Sequence, residues 1–277
     1  MARNGPTTLM LPPFRGATRQ LILAALAAFF GLAVLGLVSP PLAGTLIVWT
    51  TLIPALALHW RLWQLVTYPF AGEGLLSVAF ALLSLWFFAT SVEDERGPRW
   101  FADYFFATTI FGGLIASLLT VTLGARNGEV PLVATAGLWP FVLAVMVAFA
   151  YFHPEQPVRF NFLFTLKAKY LAAIYVLFYL AVSLKGGDRF GALVALMNAG
   201  CGYAFLRLAP RRGLRAGASE RWFGLRNAYY RAKRRRAAKK FTVYMNKQGK
   251  DVSLDAEGRY IDPNGTPRDL NDRNWMN

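Results

Sequence analysis

The sequence predicts an all-α polytopic membrane protein, a six-helix transmembrane bundle followed by a basic cytoplasmic C-terminal tail. Three observations carry this reading. The 277 residues are 55% hydrophobic, and the mean hydropathy of +0.35 is too high for an ordinary soluble domain. Several apolar runs reach the roughly 17–25 residues that cross a bilayer core of about 30 Å. The net charge of +15 is concentrated, with twelve Arg and Lys between Arg211 and Lys240 against one acid, Glu220.

Residues 1–19 form an N-terminal segment carrying Arg3, Arg15 and Arg19. The first span is Gln20–Val38, closed by Ser39-Pro40-Pro41. It lacks a short apolar core with a small-residue cleavage site, so it reads as a retained span and not a signal peptide. Leu42–Leu58 is also long enough to cross, although Pro54 interrupts it. Charge decides its fate: Lys/Arg-rich flanks stay on the cytoplasmic side, both ends of the chain are basic, and two inside ends require an even number of crossings. Residues 39–73 therefore read as a loop in or on the outer leaflet, with His59-Trp60-Arg61-Leu62-Trp63 in the headgroup zone.

The other spans are Gly74–Thr90, Trp100–Leu123, Pro131–Phe152, Tyr170–Leu184 and Phe190–Leu208, which completes a membrane domain over residues 20–208. Glu93–Arg99 and His153–Lys169 become inner loops, Gly124–Glu129 and Lys185–Arg189 short outer ones. A bacterial inner membrane with both termini cytoplasmic is the expected location.

Residues 209–240 read as a basic juxtamembrane helix with Ser219 as its cap. Arg211, Arg212 and Arg215 open it, and Trp222 and Arg226 follow. Arg231, Lys233, Arg234, Arg235, Arg236, Lys239 and Lys240 close it. Against an anionic leaflet each cation contributes about 1 kcal/mol, and Trp222, Phe223 and Leu225 suit shallow insertion. The same mixture of cations and rings suits RNA or a ribosome. A third reading leaves the tail as a topology-fixing segment only. Residues 241–277 form a small appendage with turns at Gln248-Gly249, Glu257-Gly258 and Pro263-Asn264-Gly265. Short extended segments lie between them at Phe241–Tyr244 and Arg259–Ile261. A single Cys201 excludes an internal disulfide. Two histidines without a Cys/His cluster give no zinc site, and no cofactor is expected.

Four stretches together resemble the rhomboid family of intramembrane serine proteases. Trp63-Gln64-Leu65-Val66-Thr67-Tyr68-Pro69-Phe70 is similar to the loop that leads into that family's second span. Leu85-Trp86-Phe87-Phe88-Ala89, with Glu93 and Gly97, resembles the end of that span and its turn. Gly112-Gly113 falls in the third span, and Val130-Pro131-Leu132-Val133-Ala134-Thr135-Ala136-Gly137 resembles the approach to the nucleophile helix. The resemblance covers Leu21–Leu208 and implies a six-span bundle.

It also implies a serine activated by a histidine and oxyanion donors from the second span. None of those groups is present. The serine position reads Ala136 and the histidine position reads Asn198, in Met197-Asn198-Ala199-Gly200-Cys201-Gly202. The second-span histidine and asparagine positions read Ser77 and Ala81, and Ala71 stands where a histidine follows the loop phenylalanine. No shifted register supplies a dyad, because the two histidines, His59 and His153, lie outside the outer half of the core. Loss of a serine nucleophile alone costs about 10⁶ in turnover.

The resemblance therefore implies a pseudoprotease and not an enzyme. Such a protein binds transmembrane segments of client proteins in a cavity lined by Ser77, Ala81, Ala136, Gly137 and Asn198, and regulates them without cleavage. The alternatives are an active rhomboid-type endopeptidase, and a membrane tether whose basic tail holds RNA or a soluble partner. Asn198 inside a span needs a hydrogen-bond partner, and the paired glycines suit close helix packing.

Overall fold

Where lipid offers no hydrogen bonds, a backbone must satisfy itself, and helices do so within one segment. The computed structural model describes residues 12–71, 74–126, 133–160, 164–208 and 214–249, and these are mostly helical. The long helices are α1 (Gly16–Val38), α5 (Leu75–Arg96), α6 (Pro98–Arg126), α8 (Ala168–Lys185) and α9 (Arg189–Leu208). All five are long and apolar enough to cross a membrane. The intervening α2 (Pro40–Thr50), α3 (Pro54–His59) and α4 (Gln64–Thr67) are too short to cross.

The fourth expected span differs. Its helix, α7 (Trp139–Phe152), has 14 residues, or about 21 Å at 1.5 Å per residue, against a bilayer core of about 30 Å. Residues 133–138 are not helical for local reasons. Leu52 and Thr135 exchange both backbone hydrogen bonds, each 3.0 Å long, and Gly137 has a φ of 99°. Pro140 then sits in the first turn of α7, where its missing N–H costs nothing. A short helix is tolerated because it lies inside the bundle: from Pro140 to Phe149 every residue but Val147 is buried.

The core is aromatic where α6 begins. Phe101, Tyr104 and Phe105 of α6 pack on Phe141 of α7, the last pair edge-to-face at 4.8 Å. Tyr104 donates its hydroxyl to the Ala144 carbonyl at 2.7 Å. Helices α6 and α9 approach through glycine: a Cβ on Gly112 would lie 2.8 Å from the Asn198 Cα, and one on Gly202 would strike the Tyr104 hydroxyl. Gly200 has nothing within 4 Å, so only part of the glycine pattern serves packing.

The loop between α1 and α5 is closely tied. Gln64, fully buried, accepts from the Ile53 N–H at 3.2 Å and donates to the Val48 carbonyl at 3.4 Å. Trp63 donates its indole N–H to the Trp49 carbonyl at 3.0 Å and stacks on the Trp49 ring. At the other end of the bundle, buried Glu93 accepts from the Ala17 and Thr18 N–H groups, both at 2.8 Å, which caps α1. Gly16, at φ +68°, lies so close to that carboxylate that a Cβ would collide with it.

The loop after α7 contains an antiparallel hairpin, β1 (Pro157–Phe160) with β2 (Phe164–Lys167), pairing Pro157 with Lys167 and Phe160 with Phe164. Glu155 closes its base against Lys167, at 2.7 Å, and against Lys169. Those two ammonium groups hold the Glu155 carboxyl at about 2, well below the usual carboxylate range.

The chain divides into two compact units, residues 1–214 and 215–277. The second contains nearly all of α10 (Leu214–Lys247). Ser219 lies inside this helix and not at its cap. Phe241–Tyr244 continue it instead of forming an extended segment, because a single residue's strand propensity is weak against an established helix. The expected turn at Gln248-Gly249 follows, with Gly249 at φ 75°. Arg211, Arg212 and the extended segment expected at 259–261 lie outside the described residues.

Candidate functional site

The five positions expected to line one cavity do not come together in one. Asn198 is fully buried between α6 and α9. Its Nδ2 donates to the Tyr68 hydroxyl at 2.9 Å, and its Cα and N are 2.8 Å from where a Gly112 Cβ would stand. The Asn198 Oδ1 has no hydrogen-bond partner among the described residues. The side chain is thus committed to a contact with the loop.

Ala81 and Gly137 face a second place. With Ala25, Phe29 and Phe70 they border a space of about 10 Å³, which holds one water at most. Gly137 is fixed from behind, its N–H donating to the Tyr68 carbonyl at 2.7 Å. Ser77 lies at the boundary of α5 and α7, where its Oγ accepts from the Trp139 indole N–H at 2.9 Å.

Ala136 borders a cavity of about 360 Å³ between the start of α7, the second half of α8 and the start of α9. Its walls are Thr135, Trp139 and Pro140 on one side and Tyr175, Phe178 and Tyr179 on the other, with Asp188 and Gly191 at the end. On the α8 side the wall is open, and Phe178 within it is 60% exposed.

Tyr68 is the residue whose role the sequence did not reveal. Its hydroxyl meets Asn198, its carbonyl meets Gly137, and its ring is 3.6 Å from the position of a Gly113 Cβ. It couples the loop to α6, to α9 and to the approach to α7. Trp139 was missed likewise; it joins the Ser77 position to the cavity beside Ala136. Neither histidine reaches this region. His59 is exposed at the end of α3, and the His153 Nε2 lies 3.3 Å from Glu95 at the opposite end of α7. In α10, Trp222, Phe223, Tyr229 and Tyr230 are all exposed, and Arg226 lies over the Tyr230 ring at 5.6 Å.

Compared with known protein families, residues 21–224 match the model described as eukaryotic integral membrane protein (DUF1751), and the chain belongs to that family. No curated protein matches it significantly. The family match agrees with an integral membrane protein and overturns the expected bacterial inner membrane, because the family is described as eukaryotic. The basic flanks that prompted that expectation orient a chain in a membrane without naming the kind of cell.

Proposed function

We propose that this protein is a rhomboid-like pseudoprotease that holds transmembrane segments of client membrane proteins and regulates them without cutting them. One observation carries the reading: Ala136, the position of the nucleophile in the resemblance, borders an open cavity of about 360 Å³, while Asn198, the position of the base, is sealed against Tyr68 and Gly112. A cavity whose wall includes Phe178, an exposed apolar residue of α8, offers a client helix both shape and polar partners, which lipid cannot supply. A dyad would need its nucleophile and base within hydrogen-bond reach.

A cleavage assay tests the reading first. Purified protein in bilayers, given generic transmembrane rhomboid substrates and a fluorophosphonate probe, gives neither product nor label. Cleavage abolished by Ser77→Ala or Asn198→Ala refutes the reading. The double substitution Ala136→Ser, Asn198→His also stays inactive, because the 198 side chain points into a filled contact. Photo-crosslinkers at position 136 and at exposed Ile47 then compare the cavity with a plain lipid-facing surface. Client crosslinks at 136 exceed those at 47.

The tail supports a second reading, a tether for anionic lipid, RNA or a soluble partner. Its specific observation is a long basic helix with exposed rings and cations, in a unit of its own. Deleting residues 211–277 separates the two. Crosslinks at position 136 that survive the deletion place client binding in the membrane unit, and their loss favours the tether.

A further inference from the structure

The cavity beside Ala136 has a chemistry that a client helix does not explain. Four rings wall it: Trp139 from α7, and Tyr175, Phe178 and Tyr179 from α8. The Trp139 indole is held in place by its bond to Ser77 at 2.9 Å. One carboxylate stands at the end of the cavity. Asp188 accepts from the Gly191 N–H through Oδ1 at 2.8 Å, and among the described residues no salt bridge neutralises it. Aromatic rings beside a carboxylate that makes no salt bridge form an environment that attracts a quaternary ammonium group.

Depth and charge narrow the ligand. Asp188 lies in the turn where α8 ends and α9 begins, which is the level of lipid headgroups. Lys185 and Arg189 lie in the same turn, and both are exposed. A carboxylate flanked by two cations complements a zwitterion whose ammonium and phosphate are close together. The same pair of cations repels a client segment bearing Lys or Arg. The volume of about 360 Å³ lies within the range of small-ligand sites, about 300–1,000 Å³.

We infer that this cavity binds the phosphocholine headgroup of a bilayer lipid, with the trimethylammonium among Trp139, Tyr175, Phe178 and Asp188 and the phosphate toward Lys185 and Arg189. This goes beyond client binding and does not depend on it. A protein that captures clients yet ignores choline refutes only this inference.

The test uses the full chain purified in a maltoside detergent and offered equimolar phosphatidylcholine, phosphatidylethanolamine and phosphatidylglycerol with identical chains. Retained lipids are counted by native mass spectrometry. Phosphatidylcholine is retained over the other two by roughly tenfold, the ratio that about 1.4 kcal/mol produces. Asp188→Asn keeps an acceptor for the Gly191 N–H, so it preserves the helix cap while abolishing the preference. Phe178→Leu weakens it severalfold. Tetramethylammonium chloride displaces the lipid, whereas sodium chloride at equal ionic strength does not. Equal retention of the three headgroups, or an unchanged preference in Asp188→Asn, overturns the inference. Equal displacement by sodium chloride also overturns it, since it reduces the site to unspecific charge.

Discussion

Replacing Tyr68 by Phe removes one oxygen and isolates one of the few hydrogen bonds that cross the bundle. Tyr68 and Asn198 are both fully buried, with 2.9 Å between the donor Nδ2 and the acceptor hydroxyl. Side-chain hydrogen bonds between transmembrane helices average about 0.6 kcal/mol and reach about 1.7. Leaving a buried partner unsatisfied costs about 1–3 kcal/mol. The second figure governs here, because Tyr68 and Asn198 are both without solvent exposure. Tyr68→Phe is therefore expected to cost about 1–2 kcal/mol. Asn198→Ala loses the same bond and opens a small void, but it also removes Oδ1, an acceptor without a partner among the described residues. In a double-mutant cycle with Tyr68→Phe the coupling should be about 1 kcal/mol, as for residues in direct contact. Reversible unfolding in mixed dodecylmaltoside and SDS micelles measures all four corners. Additivity within about 0.3 kcal/mol would show that the bond contributes nothing, and the role assigned to Tyr68 would fall with it.

Three further outcomes follow from other contacts. Glu93→Gln turns one of two acceptor oxygens into a donor facing the Ala17 or Thr18 N–H. It should cost about 1.5–3 kcal/mol, as for hydrogen bonds to charged groups, and hydrogen exchange should quicken at those two amides, whereas unchanged exchange removes Glu93 as the cap of α1. Gly112→Ala and Gly200→Ala should differ in sign. The first overpacks α6 against the Asn198 backbone and loses about 1–3 kcal/mol. The second meets nothing within 4 Å and gains up to about 1 kcal/mol in helix propensity; equal effects contradict the packing described. The Glu155 carboxyl should titrate near 2 when followed by NMR, and return toward its ordinary value in Lys167→Met, Lys169→Met. Because its folded value is depressed, its support for the hairpin is complete above the ordinary value of 4.5 and is lost as pH falls through about 2. High salt weakens the effect, since the pair is exposed.

What hydropathy encodes was legible, and what pairing encodes was not. The spans at α1, α5, α6, α8 and α9 follow from apolar length, a property each segment carries by itself. The start of α7 does not, because residues 133–138 are held out of a helix only through Leu52, Tyr68 and their backbone bonds to Thr135 and Gly137. The hairpin after α7 escaped for the same reason: Glu155 meets Lys167 and Lys169 only once the strands pair. Phe241–Tyr244 failed in the other direction, where local strand propensity pointed away from a helix that continues to Lys247.

Asn198 lies between these cases. A lone amide in an apolar span must find a partner, so the sequence required a bond without naming it. Loop residue Tyr68 supplies it, and the fold alone brings it there. That bond matters for the function proposed here. A side chain at 198 that holds the loop to α9 is under a structural demand independent of chemistry at Ala136, so the absence of histidine there does not leave an empty place. The open volume lies instead on the α8 side, beside Ala136, Trp139 and Asp188, and it is there that a ligand of this protein should be sought.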